Sequence, residues 1–438
     1  MTALPDTCAT VATSLAPVVT ARFVDEQLRL GVTAESGRDE RMVLEDIIRQ
    51  QLDVVAGERI AASVPLLSLD DENIITARVL SEVLGLGRIQ PLLDRTDVSD
   101  IHIRGNDPVW LRRRDGAREQ VDPVVDTDEH LVELVRLAAV RMGNDERRFD
   151  RANPEINLQL PDGSRLFAVM SVSRRPSVTI RRHRFDLMNL AELVARGMLG
   201  TRIGDFLRAA VLSRRNIVIA GGTGSGKTTL LRSLLNEVPA AERIVTIEDA
   251  YELGIERYVD LHPNVEALQS RPDNTEGRGA ISMADLTRMA LRMDPDRVVL
   301  GEVRGGEAFP MLMAMSQGNN GSMCTMHAES SRSVFPKLAA YVSMAETGLP
   351  VDTVNMLMAH AVHLVVHVEV HAGLRRVTSI REVVDADGGR IVSNEVFALD
   401  SVGELVPAYP LRDSTVDRLE EVGLDVTAVL GITGRYGS

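Results

Sequence analysis

Lysine is almost missing from this chain. Of 49 lysines and arginines only residues 227 and 337 are lysine. Cysteine is as scarce: Cys8 and Cys324 stand far apart and without metal-ligand spacing, which argues against a disulfide framework or a zinc site. Aromatic residues make up 3%, with a single tryptophan, Trp110. No apolar run approaches the ~18 to 20 residues that a membrane helix requires. The start, Met1 to Asp6, shows no basic segment leading into an apolar core, so no secretory signal is read there and a cytoplasmic location is expected. A net charge of -14 disfavours loose binding to nucleic acid or anionic lipid, so no direct nucleic-acid partner is expected. The basic clusters, Arg112-Arg113-Arg114, Arg147-Arg148, Arg174-Arg175 and Arg181-Arg182-His183-Arg184, all precede residue 220.

What is present suits two or three soluble domains: 438 residues, 44% of them hydrophobic and 26% charged. Residues 1–75 read as a helical accessory region, with Leu44, Ile48, Leu52 and Val55 on one face of a helix that Gly57 is expected to end. Residues 76–183 mix a helix near Ala77, a second over Leu131 to Val140, and short alternating strands at Ser99 to Arg104, Val109 to Arg112 and Glu155 to Leu160. That texture predicts an α+β domain on an antiparallel sheet. Residues 184–200 are expected to be a linker. From 201 to 400 strands alternate with helical patterns, the mark of an α/β domain on a parallel-rich sheet. Residues 401–438 are read as a C-terminal tail. The strand near 362–371 places His363, His367 and His371 on one side, which is expected to be a solvated polar face rather than a metal site.

One stretch organises the rest. Asn216-Ile217-Val218-Ile219-Ala220 is an apolar strand, and Gly221-Gly222-Thr223-Gly224-Ser225-Gly226-Lys227-Thr228-Thr229 fits the G-x-x-x-x-G-K-[ST] loop before Leu230 continues a helix. Glycines let the backbone bend around a phosphate with its N–H groups inward, and the helix start adds unpaired donors and a favourable dipole. Lys227 is then expected on the β- and γ-phosphates of ATP, and the Thr228 hydroxyl on Mg²⁺. A chain that has replaced nearly every lysine keeps one where a compact point charge suits and a planar fork does not. Two later apolar runs end in acids: Ile244 to Ile247 leads to Glu248-Asp249, and Val298 to Gly301 leads to Glu302. In a parallel sheet both would reach the edge where ligands collect, one to orient or deprotonate water and the other to hold Mg²⁺ directly or through water.

Together with Arg292 to Ala308 and Gly321-Ser322-Met323-Cys324-Thr325-Met326-His327-Ala328, these segments resemble the secretion-ATPase superfamily of type II secretion, type IV pilus and type IV secretion motors. Asp294 to Ala308, Arg271 to Gly277 and Arg375 to Ile380 are most similar to its CpaF/TadA-like tight-adherence branch. The resemblance, over about residues 76 to 400, implies a RecA-like P-loop NTPase domain preceded by an α+β, PAS-like domain. It makes Glu248 the acid of the Asp box, Glu302 the Walker B glutamate and a Mg²⁺ ligand, directly or through water, and His327 the His-box histidine near the γ-phosphate. Arg165 and Arg181 match arginines that the family brings to the nucleotide from its N-terminal domain, with Arg174 and Arg175 in the loop between them. It further implies a hexamer working with inner-membrane platform proteins on the cytoplasmic face of the membrane. Two departures stand out: Gly318-Asn319-Asn320-Gly321 lacks a familiar histidine, and Met170-Ser171-Val172-Ser173 lacks a familiar proline pair. A conjugation-type ATPase and a nucleotide-dependent docking switch are the alternatives.

Overall fold

The computed structural model describes residues 6–30, 40–83, 85–141, 148–160, 162–182, 188–271, 273, 277–371 and 373–431. Arg147, His183 and Arg184 of the basic clusters, Leu84, Pro161, and Pro272 and Asn274 to Glu276 of the tight-adherence resemblance lie outside them, as do residues 432–438. The chain divides into two compact units, Met1–His183 and Arg184–Ser438.

In the first unit, helices α1 (Asp6–Leu30), α2 (Glu40–Ala61) and α3 (Leu69–Val83) bury Leu15, Val19, Leu44, Ile48, Ile75 and Val79 in one small core. Gly57 does not end α2, which runs on to Ala61. An interior glycine costs a helix only about 1 kcal/mol, too little to stop one flanked by good helix formers. The break placed at residue 75 falls inside α3, because Ile75 and Val79 share one buried face. Next come α4 (Gln90–Asp94), β1 (Val98–Arg104), β2 (Val109–Arg113), β3 (Arg118–Val121), α5 (Asp128–Arg141), β4 (Glu155–Gln159), β5 (Arg165–Val169) and β6 (Ser177–Arg181). The strands form one antiparallel sheet in the order β3-β2-β1-β6-β5-β4. Alternation decides its faces: Ile101, Ile103, Leu111, Leu166 and Ile180 pack with Leu131 and Val135 of α5, while His102 is exposed.

The second unit contains α6 (Leu190–Ala195), α7 (Thr201–Leu212), β7 (Ile217–Gly221), α8 (Lys227–Leu235), β8 (Ile244–Glu248), β9 (Val265–Gln269), α9 (Met283–Ala290) and β10 (Arg297–Val303). It continues through α10 (Ala308–Ser316), β11 (Met323–His327), α11 (Val334–Met344), α12 (Val351–Ala361), β12 (Leu364–His371), β13 (Leu374–Asp387), β14 (Arg390–Leu399), β15 (Leu405–Pro407), α13 (Asp413–Glu421) and α14 (Val426–Leu430). The nine-stranded sheet runs β15-β14-β13-β12-β7-β11-β10-β8-β9. Its strands from β12 to β9 are parallel, and β13, β14 and the three-residue edge strand β15 are antiparallel.

Helices cover both faces, so successive residues of β7 enter different cores. Ile217 and Ile219 join α7, α8 and α14, whereas Val218 and Ala220 join α10, α11 and α12. The segment read as a linker holds α6, started by a capping box between Asn189 and Glu192, and its Leu190 and Leu193 belong to the first of these cores. Leu419, Val426, Val429 and Leu430 of the tail pack into the same core. The histidine face of β12 is solvated only toward its end: His367 is buried, His363 is half-buried, and the His371 side chain is 43% exposed. Among the described residues no group of three or more His, Cys, Asp or Glu side chains is placed to hold a metal ion.

Arg297 at the start of β10 is fully buried (0% exposed). Its Nε and Nη2 reach the Glu242 carboxylate at 2.7 and 3.1 Å, and Nη2 also donates to the Val211 carbonyl at 2.9 Å. Gly321 approaches from above, where a Cβ would stand 2.6 Å from the guanidinium. Glu242 also meets Arg214 at 2.9 Å and keeps that partner, so Arg297→Ala should destabilise the second unit by about 1–3 kcal/mol, mainly by leaving the Val211 carbonyl and the Glu242 carboxylate under-satisfied. Urea unfolding measures it; a loss below about 1 kcal/mol would show that the pair adds no more than a surface contact.

Candidate nucleotide site

The turn after β7 is shaped by what it excludes. A Cβ on Gly221 would lie 2.1 Å from the Val368 carbonyl oxygen of β12, so only glycine lets the two strands approach here. Gly226 is left-handed (φ 101°) and stands just before α8, whose first turn has no side-chain cap. The first backbone N–H groups of the helix therefore remain directed at the loop, an anion-binding arrangement. Lys227 folds back over the loop, its Nζ donating to the carbonyls of Gly222 at 2.9 Å and Gly221 at 3.2 Å. Burial is the main force holding its pKa below the usual lysine value, and Glu302 opposes it. Thr228 and Thr229 follow in the first turn, both half-buried.

The acids arrive on neighbouring strands. Register pairs Ile247 of β8 with Leu300 of β10, so Glu248 and Glu302 leave the same edge of the sheet. Glu248 is 2% exposed and lies against Gly301, where a Cβ would come within 3.1 Å of its Cγ. Its Oε1 accepts the N–H groups of Glu252 and Leu253, both at 2.9 Å, while Oε2 is buried without a hydrogen-bond partner. Burial, reinforced by Glu252 and Glu256, outweighs the two N–H donors and pushes its pKa up to about 8. At neutral pH Glu248 is a protonated acid in this state rather than a ready base.

Glu302 is engaged differently: Oε2 accepts from Arg304 Nε and Nη2 at 2.8 and 2.5 Å, and Oε1 lies 2.7 Å from His327 Nε2. His327 ends β11, directly paired with Gly221 of β7. Burial first and Lys227 next lower its pKa, so the imidazole stays neutral at pH 7. Gly221, Lys227, Glu302 and His327 are thus brought together, with Glu248 one strand away. Arg304 was visible in the sequence beside the Walker-type acid but carried no assigned role. Lys337 on α11 was also missed, although its charge acts on both Lys227 and His327. Lysine scarcity was its signal, since both lysines of the chain serve this one region.

Arg165 and Arg181 belong to the first unit, where they stand directly opposite each other on β5 and β6. Like charges facing across a sheet repel, and here they are met by Asn157 at 3.1 Å from Arg165 and Asp100 at 3.1 Å from Arg181. Arg175 is committed elsewhere, to Asp107, Asp128 and Asn106. In the second unit the Thr228 hydroxyl and the Glu302 carboxylate are oxygen donors of the kind that suit Mg²⁺. Bound there, the ion would supply neutralising charge to the β- and γ-phosphates.

Strand, glycine turn and helix on the carboxyl edge of a parallel sheet define a phosphate-loop nucleotide-binding domain. The chain belongs to the family described as "Type II/IV secretion system protein", which it matches over residues 82–387. A putative conjugal transfer protein of Mycobacterium tuberculosis is 34% identical over 330 residues, covering 73% of this chain and 90% of that protein. The type IV secretion system protein PtlH of Bordetella pertussis is 34% identical over 324 residues, covering 67% of this chain and 93% of that one. Among solved structures, the Legionella pneumophila ATPase DotB is similar in fold, with TM-score 0.50 and 18% identity over 69% of this chain and 80% of its own.

The buried acid gives the site a pH signature. Unfolded, Glu248 ionises near 4.5, but folded near 8, so stability it contributes at low pH is lost as the pH rises through that window. Glu248→Gln removes the titrating proton while keeping an oxygen for the two N–H donors. Thermal melts from pH 4 to 9 should show the variant gaining on the wild type with rising pH; parallel curves would mean that folding does not raise the Glu248 pKa.

Proposed function

We propose that the second unit binds ATP with Mg²⁺ through Gly221 to Thr229 and hydrolyses it to power pilus assembly or secretion across the bacterial envelope. The observation that carries this is the convergence of Glu302 and His327 on the edge where Lys227 crosses the phosphate loop. In this reading Glu302 orients the attacking water or the Mg²⁺ shell, and Arg304 and His327 hold its carboxylate in place. Glu248 serves as a second acid behind it. Arg165 and Arg181 supply positive charge to the transferred phosphoryl group, which their costly side-by-side placement and the family resemblance support.

The active form is a ring of identical subunits, six by that resemblance, working with inner-membrane platform proteins from the cytoplasmic side. No helix among the described residues is long and apolar enough to cross a membrane, in keeping with recruitment through partners. Membership of the tight-adherence branch rests on Asp294 to Ala308 and Arg375 to Ile380. The names of the curated relatives favour a second reading, a type IV or conjugation-type transfer ATPase.

Lys227→Ala should abolish tight ATP binding, and Glu302→Gln should bind ATP yet turn it over far more slowly. Titration and steady-state phosphate release decide between motor and docking switch. If Glu302→Gln stays within about threefold of the wild-type rate, a barrier change under ~1 kcal/mol, Glu302 is not catalytic. Light scattering with Mg²⁺ and a non-hydrolysable ATP analogue should report a ring, and a monomer retaining full ATPase activity would rule out assembly-dependent catalysis.

A further inference from the structure

The hairpin of β12 and β13 supplies none of the acids or phosphate-loop residues of the site, yet it touches that site at two points. β12 pairs with β7 through Val368 opposite Gly221, then continues to His371. Those three extra residues, at about 3.3 Å each, carry the hairpin roughly 10 Å past the end of β7, alongside the glycine turn. Arg375, paired with Val370 near the tip, reaches across and donates from Nε to the Gly224 carbonyl at 2.9 Å. Its stem runs beside Gly226, where a Cβ would meet Arg375 Cδ at 3.3 Å.

Lower on the same hairpin, the His367 imidazole sits between the Thr378 hydroxyl, 2.9 Å from Nδ1, and the backbone of Ala328, the residue after His327. The turn that follows is held by Ser331 Oγ, 2.8 Å from Ser379 Oγ and 3.2 Å from Arg381 Nε.

The bond to Gly224 has a geometric consequence. In a planar trans peptide the C=O and the next N–H point in opposite directions. Fixing the Gly224 oxygen on Arg375, outside the loop, therefore aims the Ser225 N–H to the loop's inner side. There it makes only a long 3.4 Å contact with the Gly222 carbonyl, a bond that a phosphate oxygen would readily displace.

We propose that Arg375 is a positioning residue of the nucleotide site, presetting the Gly224–Ser225 peptide so that its N–H is directed at the phosphates. The inference rests on the phosphate-loop reading above. It concerns binding rather than the chemical step, because Arg375 acts on the loop and touches neither Glu302 nor His327.

The test uses the full chain, with ADP and a non-hydrolysable ATP analogue as calorimetric probes. Arg375→Ala should weaken both by roughly 10-fold, the worth of a charge-assisted hydrogen bond. Its kcat at saturating ATP should stay within about threefold of wild type. Arg375→Lys, which can still donate to the Gly224 carbonyl, should recover most of the affinity. Because Arg375 is exposed, neither variant should shift the melting temperature of the nucleotide-free protein. Unchanged affinity in Arg375→Ala, or a loss that tracks melting temperature and is not restored by lysine, overturns the inference while leaving the phosphate loop standing. A wild-type protein that binds neither probe would overturn both.

Discussion

A site assembled from the ends of several strands works only if those strands are level, and one buried amide does much to set the level. Asn216, just before β7, accepts the N–H groups of Gly321 and Ser322 on its Oδ1 at 2.8 and 3.0 Å. Its Nδ2 donates to the carbonyls of Met315 at 2.8 Å and Ala361 at 2.7 Å. One side chain thereby ties the start of β7 to the start of β11 and to the ends of α10 and α12. Strands that begin in register stay so, which is why Gly221 meets His327 at the far end. A slip of one residue would carry His327 about 3.3 Å and turn it to the other face.

The charges at that far end depend on one another in the same way. Lys227 is buried enough to lose some of its basicity, and Glu302 is the group that restores part of it. Glu302 in turn is held by Arg304 and lies against a neutral His327, while the deeper Glu248 keeps its proton. Only part of this set carries charge at neutral pH. The edge can therefore accept the heavy negative charge of a polyphosphate without first discharging several carboxylates.

The parts of this arrangement that were legible in the sequence are those where backbone geometry dictates residue type. Gly221 admits no Cβ, Lys227 is one of two lysines, and Glu248 and Glu302 end apolar runs of the kind a parallel sheet covered on both faces needs. Residues whose meaning depends on what packs beside them were not legible. Leu190, Leu193, Val426 and Val429 looked like linker and tail because short helices carry weak periodicity, although their partners lie in the central core. His367 looked solvated because alternation shows two faces of a strand but not whether both are covered. Arg304, Lys337 and Arg375 were in plain view, but long-range contacts such as the 151-residue span from Gly224 to Arg375 leave no local pattern.

The two outer strands of the large sheet have a further consequence. β15 is three residues long and ends in Pro407, which has no N–H to offer a neighbour. At the opposite edge the Tyr251 hydroxyl takes the Ala267 carbonyl of β9 at 3.2 Å. Both margins are thus poor templates for an added strand. The large sheet is thereby protected from joining a second copy by strand addition, the route that leads toward fibrous aggregates. Contacts between copies at this sheet would then have to use side-chain surfaces, which separate more readily than a shared ladder of backbone hydrogen bonds.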